Sequence, residues 1–371
     1  AFDMPQQTVV TGIERDVLAD AADELSRALE AGEWVAAVLD DDREEGALFG
    51  MTHTLWVATE RCLLGFEQQQ LGSTVEDVPG FDFSHGMVAG VLSRLLCEGR
   101  VVSPDVKGLI HELSPIDSIE AEQLDPLALD SARLFDTVVA AYLLDSSRDA
   151  FDDAYLADRY LQVSLAPAHG EEGAVVDAPA RAARTAALAL VIREPLENAL
   201  EREGATRVFS EIEMPLVPVL ASMERTGMLV DPERLHALSL GLEGQIDELA
   251  CKIRALAGDD TFNISSPMQL SHILFDVMGL PTKGLKKTQR GYYSTNAKKL
   301  EELAHDHEIV RLILRYREMT KIKSTYLDTL GPLRQGDGRV HTTYNQTITA
   351  TGRLSSSNPN LQNIPTRSEL G

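Results

Sequence analysis

Residues 340–367, VHTTYNQTITATGRLSSSNPNLQNIPTR, set the reading of this chain. The stretch opens on a Thr-rich alternation, the period-two pattern of a strand. It then loses periodicity and becomes a run of Ser, Thr, Asn and Gln with only two arginines, Arg353 and Arg367. Small hydroxyls and amides donate to sugar and base acceptors, and an arginine reaches the acceptors that every base pair presents at the minor-groove edge. Such contacts tolerate any sequence. Pro359 and Pro365 preset the direction of the loop. The same composition suits a polar surface loop built on Asx turns, and both readings stand at this point.

The surroundings are basic in an otherwise acidic chain. The formal net charge is −24, which for a uniform surface argues against a polyanionic partner. The charge is not uniform: residues 281–371 hold fifteen Lys or Arg against eight Asp or Glu, and the remainder holds 19 basic and 50 acidic side chains. KGLKKTQRGYYST (283–295) gathers Lys283, Lys286, Lys287 and Arg290 with Thr288, Ser294, Thr295 and two tyrosines. Flexible cations beside small hydroxyls and the N-terminus of a following helix suit phosphate; a solvated surface loop has the same composition. A helix predicted over 304–329 carries Arg311, Arg315, Arg317, Lys321 and Lys323 beside Leu312, Ile313 and Tyr316. That is the pattern of an amphipathic helix, with few acids to oppose its cations.

The chain has 371 residues and 44% hydrophobic content, enough for two or three packed domains. Cys62, Cys97 and Cys251 are far apart and outside any metal-ligand spacing, which suits a reducing cytoplasm. No apolar run is long enough for a membrane span, and the start lacks the basic and apolar regions of a signal peptide. With no initiator Met and an abrupt SELG end, the sequence is expected to be a piece of a longer protein. WVAAVLDDD (34–42), GALFGM (46–51) and TLWVAT (54–59) are predicted strands; MVAGVLSRLLCEGR, VKGLIHEL and ARLFDTVVAAYLLD are predicted helices, so the amino-terminal part is expected to be α/β. After the Pro/Gly/Ala loop at 164–180 the pattern is nearly all helical. EIEMPLVPVLASMERTG is predicted to end on Gly227, and SSPMQLSHILFDVMGLP to start on Ser266 with Gln269 closing a capping box.

The 340–367 stretch resembles the segment with which family A DNA polymerases enter the palm. Upstream, YREMTKIKSTYLDTL, GLKKTQRGYYST, FNISSPMQLSHILF and SMERTGMLVD resemble, in order, the thumb of that family. The resemblance implies an exonuclease-like, ribonuclease H-like α/β domain over residues 1–205, a helical DNA-binding thumb over 206–335, and the first strands of a truncated palm over 336–371. It implies that Arg353 lies in the minor groove at the primer terminus and that Asn360, Gln362 and Asn363 contact the primer side. Lys286, Lys287, Thr288, Ser294, Thr295, Arg317, Lys321, Lys323, Ser324 and Thr325 are the implied contacts of the thumb to the duplex. Asn345 stands where many relatives carry histidine, and Arg367 is implied to lie near the incoming nucleotide. The implied partners are primer-template DNA and deoxynucleoside triphosphates, for a monomeric, cytoplasmic, nucleoid-associated bacterial enzyme that uses Mg²⁺. The palm carboxylates and the nucleotide-binding helix of the family follow this point, so no catalytic residue is expected here: the chain should hold DNA without extending it. The alternatives are a stand-alone DNA-binding remnant or an active 3′–5′ exonuclease.

For the amino-terminal domain the resemblance, carried by LFDTVVAAYLLDSS (134–147), is to a proofreading exonuclease whose acids are missing. Arg181 and Thr185 stand in place of the Tyr and Asp of the last motif, and Lys107 and Gly108 stand around the expected second carboxylate. Ala37 and Leu39 take the first-strand positions unless the strand is shifted, in which case Asp40 and Asp42 have the required spacing and are the metal candidates. Asp136 has a family match but is expected on a helix.

Overall fold

The computed structural model describes residues 7–10, 15–40, 54–67, 81, 86–113, 124–165 and 178–364. The chain divides into two compact units, one of 1–227 with 342–358 and one of 228–341 with 359–371.

The first unit is built on a six-stranded sheet of β1 (Gln7–Val10), β2 (Trp34–Asp40), β3 (Thr54–Ala58), β4 (Leu63–Glu67), β5 (Arg100–Ser103) and β6 (Leu134–Asp136), in the order β1-β4-β3-β2-β5-β6. Strands β2, β3 and β4 form an antiparallel meander, while β5 and β6 continue it in parallel with β2. Both faces are covered, which explains why β2 and β3 read as apolar runs rather than as an alternation. The Ala178–Arg202 helix packs across β2 and β3, and its Ala183, Ala186 and Ala189 are buried in the same core as Ala36 and Ala37. Small side chains on both sides keep that layer thin. Gly65 faces Trp56 across β4 and β3, and a Cβ there would lie 2.9 Å from the indole ring.

Three expectations need correcting in this unit. Leu63–Glu67 is a strand that the sequence reading passed over, while GALFGM (46–51) lies outside the described residues. ARLFDTVVAAYLLD is not one helix: a short 3-10 turn leads into β6, and the helix begins only at Thr137. Asp136 is therefore the last residue of a strand and the N-cap of a helix, not a helical residue. The 340–349 strand is in fact two short ones, with a break at His341 and Thr342. The second of them, β9 (Thr343–Asn345), pairs antiparallel with β10 (Ser355–Ser357) inside the first unit.

The second unit is mostly helical. Its long Pro232–Ala257 helix is bounded by local signals: Asp231 caps it through the Arg234 N–H at 3.0 Å, Pro232 opens the first turn, and Gly258 closes it at φ 69°. Ser266 caps the next helix as expected, but Gln269 accepts from the Asn263 N–H at 2.6 Å rather than closing a box on Ser266. The helix predicted over 304–329 is interrupted. Ala297–Ala304 ends first, Glu308–Ile322 follows, and Lys323–Leu327 is a wider π turn. Ile253, Phe262, Ile264, Leu270, Leu274, Leu300, Val310 and Ile313 form the core. β7 (Met228–Leu229) pairs with β8 (Arg339–Val340), and Leu361 and Ile364 pack on Val230, Tyr326, Leu330 and Val340. Among the described residues no helix is long and apolar enough to cross a membrane.

Candidate nucleic-acid interface

In the second unit the basic loop is a tight turn. The Thr288 N–H donates to the Tyr292 carbonyl at 2.8 Å, the Gly291 N–H to the Thr288 carbonyl at 3.0 Å, and Gly291 takes φ 86°. An isolated antiparallel bridge joins Lys287 to Tyr293, and the Lys287 ammonium lies 4.9 Å from that ring centroid. Lys286 and Lys287 are exposed; Thr288 and Ser294 are half-buried. Thr295 is 6% exposed and is held by Arg317, whose guanidinium donates to its carbonyl and, at 3.2 Å, to its hydroxyl. Burial pulls the Arg317 pKa below its ordinary value. These two residues brace the loop against the Glu308–Ile322 helix and leave the exposed charge to their neighbours.

One turn beyond Arg317, Lys321 is exposed. Lys323 is engaged with Asp328 at 3.0 Å and lies 3.9 Å from Glu243, so it is neutralised where it stands. Ser324 and Thr325 are exposed on the π turn. Asn360, Gln362 and Asn363 are exposed, and the Asn360 side chain accepts from the Gln362 N–H at 3.0 Å, an Asx turn. Arg367 lies outside the described residues.

In the first unit the β9–β10 hairpin carries Asn345 and Arg353. Asn345 donates to the Ser357 hydroxyl at 3.1 Å and to that of Ser355 at 3.4 Å, so its side chain lies along the partner strand. Gly352 at φ 72° and a 2.5 Å bond from the Thr349 hydroxyl to the Arg353 carbonyl shape the tip. Arg353 is exposed on it.

This hairpin is anchored at several points by residues that the sequence reading had not connected with it. Lys107 donates to Glu224 at 2.6 Å and to the Tyr344 carbonyl at 2.5 Å, and Glu224 in turn accepts from the Tyr344 N–H at 2.6 Å. His111 meets the other Glu224 oxygen at 2.5 Å. Burial pushes the Glu224 carboxyl up, but its bonds from His111 and Lys107 outweigh that and hold its pKa below the usual carboxylate range. Gln346 donates to the Glu213 carboxylate at 2.9 Å, Tyr142 to the Thr349 carbonyl at 2.6 Å, and Ser146 to the Ala350 carbonyl at 3.3 Å. The partners lie more than a hundred residues apart in sequence, so no local pattern announces them.

Asp40 is 7% exposed at the end of β2, and Asp42 lies outside the described residues. Asp136 accepts from the N–H groups of Val106, Val138 and Val139 at 2.9–3.0 Å; burial nevertheless pushes its pKa up to about 7. Thr185 donates to Asp153 at 2.6 Å, with Arg184 3.7 Å from the same carboxylate. Among the described residues no group of three His, Cys, Asp or Glu is placed to hold a metal ion.

Comparison with known proteins gives the following similarities. Residues 232–371 match the model of DNA polymerase family A. The chain is 43% identical over 247 residues to DNA polymerase I of Geobacillus stearothermophilus, a match covering 64% of this chain and 28% of that protein. It is 42% identical over 281 residues to the thermostable DNA polymerase I of Thermus thermophilus, covering 74% of this chain and 32% of that one. Among solved structures it resembles the POL domain of Pol1 from M. smegmatis in complex with DNA primer-template and dNTP. The TM-score there is 0.71 at 29% identity, over 98% of this chain and 57% of that chain. The chain thus spans roughly three tenths of the curated relatives it matches. Residues 232–371 thus carry the match to DNA polymerase family A, and the relatives and the solved structure that the chain resembles are DNA polymerases of the polymerase I type.

Proposed function

We propose that this chain binds the primer-template duplex for a DNA-directed DNA polymerase of the polymerase I type, with nucleotidyl transfer carried out by the whole protein. One observation carries the reading. In a chain with 58 acidic and 34 basic residues, Lys286, Lys287, Arg290, Arg315, Lys321 and Arg353 are exposed. None of these six forms an ion pair among the described residues. Cations left unneutralised amid a large excess of acid suit a polyanion, and lysines on a loop and a helix provide the sequence-tolerant phosphate contacts that a polymerase needs. Arg353 on the hairpin tip supplies the minor-groove contact, and Arg367 the one near the nucleotide.

The α/β domain is read as an exonuclease-like scaffold without exonuclease activity. An antiparallel meander continued by two parallel strands supports the ribonuclease H-like assignment. Asp136, the carboxylate with a family match, is committed to three backbone N–H groups, and Arg181 and Thr185 do not suit Mg²⁺. The described residues thus do not fit the metal pair of that chemistry, and the Mg²⁺ and deoxynucleoside triphosphates of polymerisation belong to the whole enzyme.

The test is fluorescence anisotropy of a labelled primer-template junction against salt. Affinity should fall log-linearly, with a slope of about −0.9 for each phosphate neutralised. Absence of binding at low salt overturns the reading. Metal-dependent shortening of a 3′ end, abolished by Asp40→Ala, would restore the exonuclease alternative.

A further inference from the structure

The strand that carries Asn345, and leads to Arg353, has an unusual edge. Opposite Ser356 of β10, Tyr344 has both its backbone N–H and its carbonyl taken by side chains, the N–H by Glu224 and the carbonyl by Lys107. In an antiparallel pair successive residues turn their backbone groups alternately toward and away from the partner strand. A one-residue segment of open edge is therefore closed here by a salt bridge instead of a further strand. The two side chains bond each other at 2.6 Å and are 17% and 5% exposed, and His111 occupies the second carboxylate oxygen.

A buried ion pair of this kind is weak evidence for stability, because apolar groups of the same shape often serve as well. What the charges add is direction. A carboxylate accepts and an ammonium donates, so a one-residue slip of β9, which turns this N–H and carbonyl to the other edge, leaves both charges without their backbone partners. Lys107 stands around the position where the exonuclease resemblance expects a metal-binding carboxylate, on the Val106–Leu113 helix whose first N–H is fixed by Asp136. Tyr142 and Ser146, from the helix that Asp136 caps and the turn after it, hold the carbonyls of Thr349 and Ala350 farther along the same hairpin.

We propose that Lys107 is a positioning residue: paired with Glu224, it locks the register of the 343–345 strand and thereby sets Asn345 and Arg353 for the primer terminus. The proposal rests on the reading of that hairpin as a duplex contact, and it gives the exonuclease-like domain a second use, as the jig of a polymerase element.

The experiment uses the full 371-residue chain as wild type, Lys107→Met, Lys107→Arg, Glu224→Gln, Arg353→Ala and the double variant Lys107→Met with Arg353→Ala. Amide hydrogen exchange over 342–353 and the dissociation constant for a primer-template junction are measured on each. In Lys107→Met and Glu224→Gln, exchange at Tyr344 should rise at least about tenfold while the sheet core keeps its protection. Junction affinity should fall in Lys107→Met by about the same factor as in Arg353→Ala, on the order of tenfold. It should fall no further in the double variant, and Lys107→Arg should recover most of it. Multiplicative losses in the double variant, or unchanged exchange at Tyr344, overturn the proposal. If Lys107→Met does not fold, the shape-conserving Glu224→Gln, alone and combined with Arg353→Ala, carries the same comparison. If Arg353→Ala weakens binding and Lys107→Met does not, the positioning role fails alone; if the wild type does not bind the junction, the role and the functional reading fall together.

Discussion

Replacing Asp136 by Asn should change how the stability of the α/β domain depends on pH. The carboxylate is fully buried at the end of β6, and its pKa is raised from 3.8 to about 7, mainly by desolvation and against three backbone hydrogen bonds. Below pH 3.8 both the folded and unfolded states hold the proton, and the contribution to stability is fully present. Between 3.8 and 7 the unfolded chain releases the proton while the folded one keeps it, so stability falls as pH rises; above 7 the loss is complete. At 1.36 kcal/mol per pH unit the whole span amounts to about 4 kcal/mol, of which about 3 lies between pH 4.5 and 8. The Asn variant does not titrate. It does turn an amide N–H toward the Val106 N–H, which now bonds the carboxylate at 3.0 Å, a pH-independent loss of about 1–3 kcal/mol. The variant should therefore be the less stable protein at pH 4.5, and the deficit should close or reverse by pH 8. Taking the difference between the two proteins removes the other titrating groups, including Glu24 and Glu224, whose lowered pKa values give the opposite slope. Urea unfolding followed by tryptophan emission isolates the domain, since the only two tryptophans, Trp34 and Trp56, lie in β2 and β3. Parallel stability profiles from pH 4.5 to 8 refute the reasoning.

The remaining predictions separate bracing residues from contact residues. Arg317→Ala should destabilise the second unit by about 1–3 kcal/mol, because the Thr295 carbonyl loses its donor, and should change the salt slope of duplex binding little. Lys321→Ala should leave the unfolding midpoint within about 0.5 kcal/mol and lower that slope by about one, and a reversal of the two patterns exchanges their roles. Gly227→Ala should cost about 1–3 kcal/mol in thermal unfolding, since φ 61° with ψ −176° is a region open essentially to glycine alone; an unchanged melting temperature contradicts that backbone assignment.

The helical unit was legible only in part, at Ser266 above all, where a boundary is set by a neighbour in the chain. Asp231 with Pro232, Ser266 and Asn296 each lie within three residues of the N–H they cap, and Gly258 needs no partner at all. The sheet was harder. Leu134–Asp136 is three residues long, and its apolar spacing continues into the following helix without a phase change, so periodicity alone merges the two. The clearer signal was Asp136 followed by Thr137 and a run of apolar residues, the pattern of an N-cap. The hairpin's supports left no signal of either kind, because Lys107 and Glu224 lie 117 residues apart and Tyr142 and Thr349 207 apart. The sequence reading noted Lys107 only as a cation around a position where the resemblance expects a carboxylate. The structure adds why a cation fits: a carboxylate there would face buried Glu224, and two acids at 2.6 Å could not both ionise, nor could an acid donate to the Tyr344 carbonyl without keeping its proton. A cation at position 107 is thus what lets this helix hold both Glu224 and the 343–345 strand.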